Sequence, residues 1–251
     1  MESLQNEKQR LALMRFFKTQ RPGDYGYGDH FLGVKNPQTR EAVKFSRDLP
    51  LSEVPVLLTS KWHEVRLCGF LILVDKFERL SKHRLENDDK AIDMRDEILT
   101  MYLQHAEYAN NWDLVDLSVY KILGKWIILP TKLGSQDGKA DYNYDYKIGV
   151  VDELADSPCL WKQRMSMVCT WQPSHNGDPS WCLRYAEKHL RHSHDLMQKA
   201  VGWMLRDMGK EVSMDILRDF LSKHVHELPR TALRYAIEKM PEAERKMWLS
   251  M

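Results

Sequence analysis

Apolar residues recur at spacings of three and four along nearly the whole chain, with polar positions filling the intervals, which is the periodicity of amphipathic helices. Such segments are read at about 2–19, 37–47, 51–59, 61–80, 89–107, 111–128, 146–155, 158–172, 178–191, 194–210, 213–224 and 229–240. Runs of alternating Val, Ile and Thr bounded by hairpin turns, the mark of paired strands, are missing. The predicted class is all-α. Some helix starts are visible locally. Asn36 reads as a cap and Pro37 is already set at helical φ, while Ser157–Pro158 and Ser213 look like starts of the same kind.

Short polar breaks join these segments, and helix hairpins stacked side by side predict an α-solenoid, a superhelix of HEAT-like helix pairs, forming a single domain over residues 1–251. No strict sequence period underlies this; the repeat is read from helix spacing. Two segments interrupt the pattern. "RPGDYGYGDH" (21–30) is rich in Gly and Tyr and leads into the apolar "FLGV", so it is expected to be an ordered loop packed on the first pair. "TKLGSQDGKADYNYDY" (131–146) is polar and carries turn residues, as a surface connection between two halves of the array would.

Composition narrows the function classes. The 43% hydrophobic and 29% charged residues are those of an ordinary folded chain. No apolar stretch of about 18 residues exists and "MESLQNEKQR" is too polar for a signal peptide, so neither membrane insertion nor export is expected, and the default compartment is the cytoplasm. The net charge of +1 excludes a globally basic nucleic-acid binder but not a basic face. Cys68, Cys159, Cys169 and Cys182 lack CxxC spacing and lie among apolar neighbours, so they read as free thiols.

Three short stretches could carry chemistry. In "WDLVD", Trp112 and Asp116 stand at i and i+4 and share one helix face, with Leu114, Val115 and Leu117 available for the buried side. The plain alternative is that Asn111 or Asp113 caps this helix, Trp112 is half-buried core and Asp116 pairs with Lys121 or Arg164. In "KAVGWMLRDMGK" a second indole, Trp203, follows Gly202, which permits close helix packing or close ligand approach; Arg206 and Lys210 come next. In "LWKQRM", Lys162 and Arg164 open an otherwise apolar helix. The histidines of "HLRHSH" (189–194) have permissive helical spacing but no fourth ligand of fitting spacing, so no metal site is expected.

Taken together, "HFLGVKNPQTRE" (30–41), "NNWDLVDLS" (110–118), "LWKQRMSMV" (160–168) and "QKAVGWMLRDMGK" (198–210) resemble the DNA alkylation repair family, the AlkD-like glycosylases built from HEAT-like repeats. The resemblance covers residues 10–240 in the same order. It implies that the catalytic carboxylate falls on Asp116, that two indoles stacking on the damaged nucleotide's sugar and backbone fall on Trp112 and Trp203, and that a backbone-binding arginine falls on Arg164. The first loop departs from the family's better-studied members, with Tyr25 or Tyr27 and Lys35 in place of a differently spaced Tyr and a Gln.

The implied reaction suits these residues. N-alkylation gives 3-methyladenine and 7-methylguanine a positive charge, so the base leaves without a general acid, and the enzyme's task is to stabilise the oxocarbenium-like sugar. A carboxylate supplies the anion and can position water, and indole faces add cation–π attraction. The implied partner is duplex DNA containing alkylated bases, bound by a monomer without any cofactor. Lys35, Arg40, Lys44, Lys162, Arg164, Arg206, Lys210, Arg230 and Arg234 are candidate phosphate contacts, with Tyr27 beside them. The rival expectation is a non-catalytic HEAT-like scaffold that binds DNA or protein; a third is a family member acting on bulky or crosslinked adducts.

Overall fold

The computed structural model describes residues 2–251. Two compact units are distinguished by their internal contacts: the first runs to Ile122 and takes back Pro130–Asp141, and the second holds Leu123–Leu129 and Tyr142–Met251. All the regular elements among the described residues are helical, with only the isolated bridges His30–Trp62 and Thr131–Asp141 resembling strand pairing. Among them no helix is long and apolar enough to cross a membrane.

The first unit contains α1 (Glu7–Phe16), α2 (Asn36–Phe45), α3 (Val54–Leu58), α4 (His63–Leu80), α5 (Asp89–Gln104) and α6 (Trp112–Asp116). Its centre is α4, which packs against α2, α3, α5 and α6. That helix is apolar almost all round from Leu67 to Val74, and every residue of that stretch is buried. The second unit contains α7 (Lys125–Ile128), α8 (Tyr144–Ala155), α9 (Leu160–Val168), α10 (Trp171–His175), α11 (Ser180–Lys188), α12 (Asp195–Glu211), α13 (Met214–His224), α14 (Arg230–Ala236) and α15 (Glu242–Ser250). Here α12 is central, packed on α9, α10, α11, α13 and α14. Pairwise helix packing of the α-solenoid kind thus builds each unit.

Several expected helices are divided, each for a local reason. The segment read as one helix over 111–128 is α6, a π-helical turn at Tyr120–Gly124, and α7. Ser118 lies between α6 and that turn; its Oγ donates back to the Leu114 carbonyl at 2.6 Å and also meets the buried Tyr102 hydroxyl at 2.9 Å, a competition that bends or ends helices. The 158–172 segment divides into α9 and α10, because Pro173 has no N–H to return to the preceding turn. Ser213 caps α13 as expected, its Oγ accepting from Ile216 N. Ser157 instead accepts from Cys159 N, ahead of α9. The helix launched at Asn36–Pro37 begins at Asn36 itself, with Lys35 at the cap. Over 242–250 an unpredicted helix, α15, buries Trp248.

Gly202 in α12 answers a question left open by its neighbour Trp203. A Cβ added there would fall 2.3 Å from the Ala232 carbonyl oxygen and 2.5 Å from Tyr235 Cβ, so the missing side chain is what lets α12 and α14 touch. Gly202→Val is expected to cost about 1–3 kcal/mol by overpacking, read as a lower urea midpoint; an unchanged midpoint would remove this explanation.

Candidate active site

α6 is a single five-residue helix, too short to be stable alone. Asn111 caps it, its Oδ1 accepting from Trp112 N at 2.9 Å. Asp113, the alternative cap, is engaged elsewhere. Its Oδ2 lies 2.9 Å from His63 Nε2, while the other ring nitrogen of His63 lies 2.7 Å from Asp29 Oδ2. Asp29 also accepts from Arg66 Nη2 at 2.7 Å, and Arg66 continues to Asn110 Oδ1, the Ser60 carbonyl and the Tyr108 carbonyl. All four charged groups are buried. They tie the 21–30 loop, the start of α4 and the start of α6 into one cluster, which is why so short a helix holds its place.

Burial by itself would push the His63 imidazole down, but the carboxylates of Asp113 and Asp29 outweigh it and raise the group to about 9. Asp29 shows the reverse balance: burial favours its neutral form, and His63 and Arg66 together hold it below the usual carboxylate range. At neutral pH the cluster therefore carries an imidazolium between carboxylates.

A second buried carboxylate arranges the adjacent backbone. Glu64, 3% exposed, accepts from the backbone N–H groups of Leu32, Gly33 and Val34 at 2.8–3.1 Å. Gly33 needs its own identity here: its φ is +83°, and a Cβ would fall 2.1 Å from the Asn6 carbonyl oxygen. The clamped segment receives the start of α1, with Asn6 N donating to the Leu32 carbonyl at 3.1 Å.

Trp112 and Asp116 are both half-buried and line one cavity of about 440 Å³ in the first unit. Phe16 and Phe17 from the end of α1, together with Phe31, surround it, and Lys35 stands at its edge. Phe17 stacks on Phe31 with ring centres 5.3 Å apart, and Trp112 meets Phe17 at 5.4 Å and the edge of Phe16 at 5.8 Å. The shared face expected from the i, i+4 spacing is thus a face on a cavity that three phenylalanine rings and aliphatic side chains also line.

The other sequence-selected residues fall as follows. Lys35 and Arg40 are exposed, Lys162 is half-buried, and none of the three has an ion-pair partner among the described residues; Tyr27 is exposed. In the second unit, Trp203 is half-buried on α12 and Arg164 is buried, its Nη1 donating to the Leu196 carbonyl. Arg206 is ion-paired with Glu238 and Lys210 with Glu211, so two of the candidate phosphate contacts already face carboxylates. Lys121, once a possible partner for Asp116, pairs with Glu78 at 3.6 Å. The three histidines of 189–194 have separate partners: Ser166 for His189, Gln163 for His192, and the Leu196 N–H for His194, which caps α12. Burial and neighbouring cations push His189 down to about 4.

A family model of DNA alkylation repair enzymes matches residues 1–240. The chain belongs to the DNA alkylation repair enzyme family. A solved structure described as a predicted DNA alkylation repair enzyme from Enterococcus faecalis shares its fold, with a TM-score of 0.64 at 14% identity over 95% of this chain and 97% of that one. No curated protein matches. As a DNA alkylation repair enzyme the chain acts on DNA, and Trp112 and Asp116, two of the site residues that the family resemblance implies, share a cavity.

Sequence reasoning missed Asp29, His63, Glu64 and Arg66. The signal was there in part: "HEVRLCGFLILV" puts His63, Glu64 and Arg66 at the head of an apolar run, where charges cannot all be solvated and must be paired. Nothing local names the partners, which lie 30–50 residues away.

Proposed function

We propose that this DNA alkylation repair enzyme is a monofunctional glycosylase hydrolysing the N-glycosidic bond of cationic alkylpurines, such as 3-methyladenine and 7-methylguanine, in duplex DNA. The observation that carries the reading is the presence of the Asp116 carboxylate and the Trp112 indole on one cavity wall. As the bond from the sugar C1′ to the base breaks, its electron pair leaves with the base, which departs neutral, and positive charge develops on the sugar. Asp116 stabilises that charge and orients a water whose oxygen bonds C1′. The water's proton passes to the carboxylate and then to solvent, leaving an abasic site. The face of Trp112 adds cation–π attraction worth about 0.5–2 kcal/mol. On the strength of the family resemblance, Trp203 takes the role of second indole and Arg164 that of backbone contact, with Lys35, Arg40 and Lys162 as phosphate contacts.

The test is release of the free base from duplexes carrying 7-methylguanine or 3-methyladenine. Release leaving an abasic site is the expected result. Duplex binding without release of either base would favour the scaffold reading or another lesion class.

A further inference from the structure

A separate cleft of about 440 Å³ lies in the first unit, between the segment after α2, the last turns of α4 and one face of α5. Leu51, Leu80, Leu85, Met94 and Ile98 make its apolar floor, with no aromatic ring among the lining residues. Arg47, Lys76 and Arg79 stand around that floor, against the single lining carboxylate of Asp48. The cations are crowded: Lys76 Nζ and Arg79 Nη2 both donate to the Arg47 carbonyl, at 3.4 and 3.1 Å. Asp75 pairs with Arg79 at 3.0 Å and reaches Arg47 at 3.9 Å, while Lys76 has no ion-pair partner among the described residues. Burial, and then the neighbouring Arg79, push the Lys76 ammonium below the usual lysine range. The turn that supplies Leu85 adds Lys82 and Arg84, both exposed and likewise without an ion-pair partner among the described residues. Arg95, buried behind that turn, is held by the carbonyls of Leu80, Leu85 and Glu86. An apolar cleft is thus ringed by more positive charge than its own carboxylates offset.

We propose that this cleft docks an acidic segment of another protein, which seats a bulky apolar side chain on Leu51, Leu80, Met94 and Ile98 and sets its carboxylates against Lys76, Arg79 and the basic turn. Each half of the occupant answers one feature. An apolar anchor filling a pocket inside a polar rim is the pattern that carries most binding energy at protein interfaces, and Met94 supplies an adaptable wall. Carboxylates complement the surplus cations and relieve their mutual repulsion. A nucleic acid strand fits less well, because grooves for single strands stack bases on aromatic side chains, and none lines this cleft. The position also matters. α4 is 18 residues long, so its ends lie about 25 Å apart; the cavity of Asp116 takes His63, Glu64 and Leu67 from its start, and this cleft takes Lys76, Arg79 and Leu80 from its end. A partner docked here leaves the Asp116 cavity uncovered.

The probe is a phage-displayed library of random linear peptides, selected on the full chain; enriched sequences are then synthesised with a fluorescein label and titrated by fluorescence anisotropy. Enriched peptides are expected to combine Asp or Glu with Leu, Phe or Trp. Lys76→Glu and Met94→Asp, the latter at a side chain 49% exposed and so dispensable for folding, should each weaken their binding at least about tenfold. Circular dichroism checks that both variants fold. Lys223→Glu makes the same charge change at an exposed lysine of the second unit and should bind as the native chain does. An unmodified DNA duplex should not displace the peptides, and Lys76→Glu should keep native duplex affinity. The proposal is overturned if no enriched peptide depends on the cleft, if the enriched peptides lack acidic residues, or if Lys223→Glu weakens binding equally, which would reduce the effect to net charge. Displacement by the duplex, or a parallel loss of duplex affinity in Lys76→Glu, would overturn it by assigning the cleft to DNA.

Discussion

Asp116→Asn should slow base release a hundredfold or more while leaving the fold and duplex affinity close to native. Asn has nearly the same shape, so it retains the packing of α6 and removes only the negative charge. If the transition state is an oxocarbenium-like sugar, that charge is worth about 3–4 kcal/mol by the scale of single preorganised electrostatic groups. Single-turnover excision from a 7-methylguanine duplex measures the loss, with circular dichroism and duplex binding as controls. Trp112→Leu should cost less, because an indole face contributes only a fraction of that amount. A variant that released base at the native rate would strip Asp116 of its catalytic role, and a parallel loss of duplex affinity would point to binding instead.

Asp29→Ala is expected to produce the largest loss of stability, about 3–5 kcal/mol, because it leaves Arg66 and His63 buried with a partner removed. The cluster also predicts a pH dependence whose sign follows from its direction. The folded His63 sits at about 9, above the ordinary imidazole value of about 6.5. Its stabilisation is therefore complete below about pH 6.5 and lost as pH rises through 9, an effect of about 3 kcal/mol. The neighbouring buried thiol of Cys68 is pushed up to about 11 and does not titrate in that window. Urea midpoints measured between these limits should fall for the native chain and stay nearly level for His63→Gln. A native midpoint that did not fall would mean that His63 is not held as an imidazolium. The two effects meet at α6: because Asp113 is anchored through His63, weakening the cluster loosens the helix that carries Trp112 and Asp116.

Helix 111–128 shows where local reading works and where it stops. Trp112 and Asp116 do face the same way, because i, i+4 geometry is a property of any helical turn. The helix breaks after one turn for a reason that needs the rest of the fold: Ser118 turns its hydroxyl to the Leu114 carbonyl beside Tyr102, a residue of α5. Gly202 was legible as a position for close approach, but that the approaching group is α14 is a matter of tertiary packing. Arg206 and Lys210 were legible as cations, and only the folded chain pairs them with Glu238 and Glu211.

What the sequence determined by itself is what depends on near neighbours: an all-α chain, the positions of most helices, the cap at Ser213 and the common face of Trp112 and Asp116. Helical periodicity and capping are settled within one or two turns, so they can be read along the chain. The tertiary structure alone decided which charges are buried together. His63 meets Asp29 and Asp113 across 34 and 50 residues, Glu64 gathers three backbone N–H groups some 30 residues away, and α1 brings Phe16 and Phe17 to the cavity of Trp112. A buried charge is tolerated only when a partner arrives to meet it, and which segment supplies that partner is fixed by how the helices pack rather than by the pattern within any one of them.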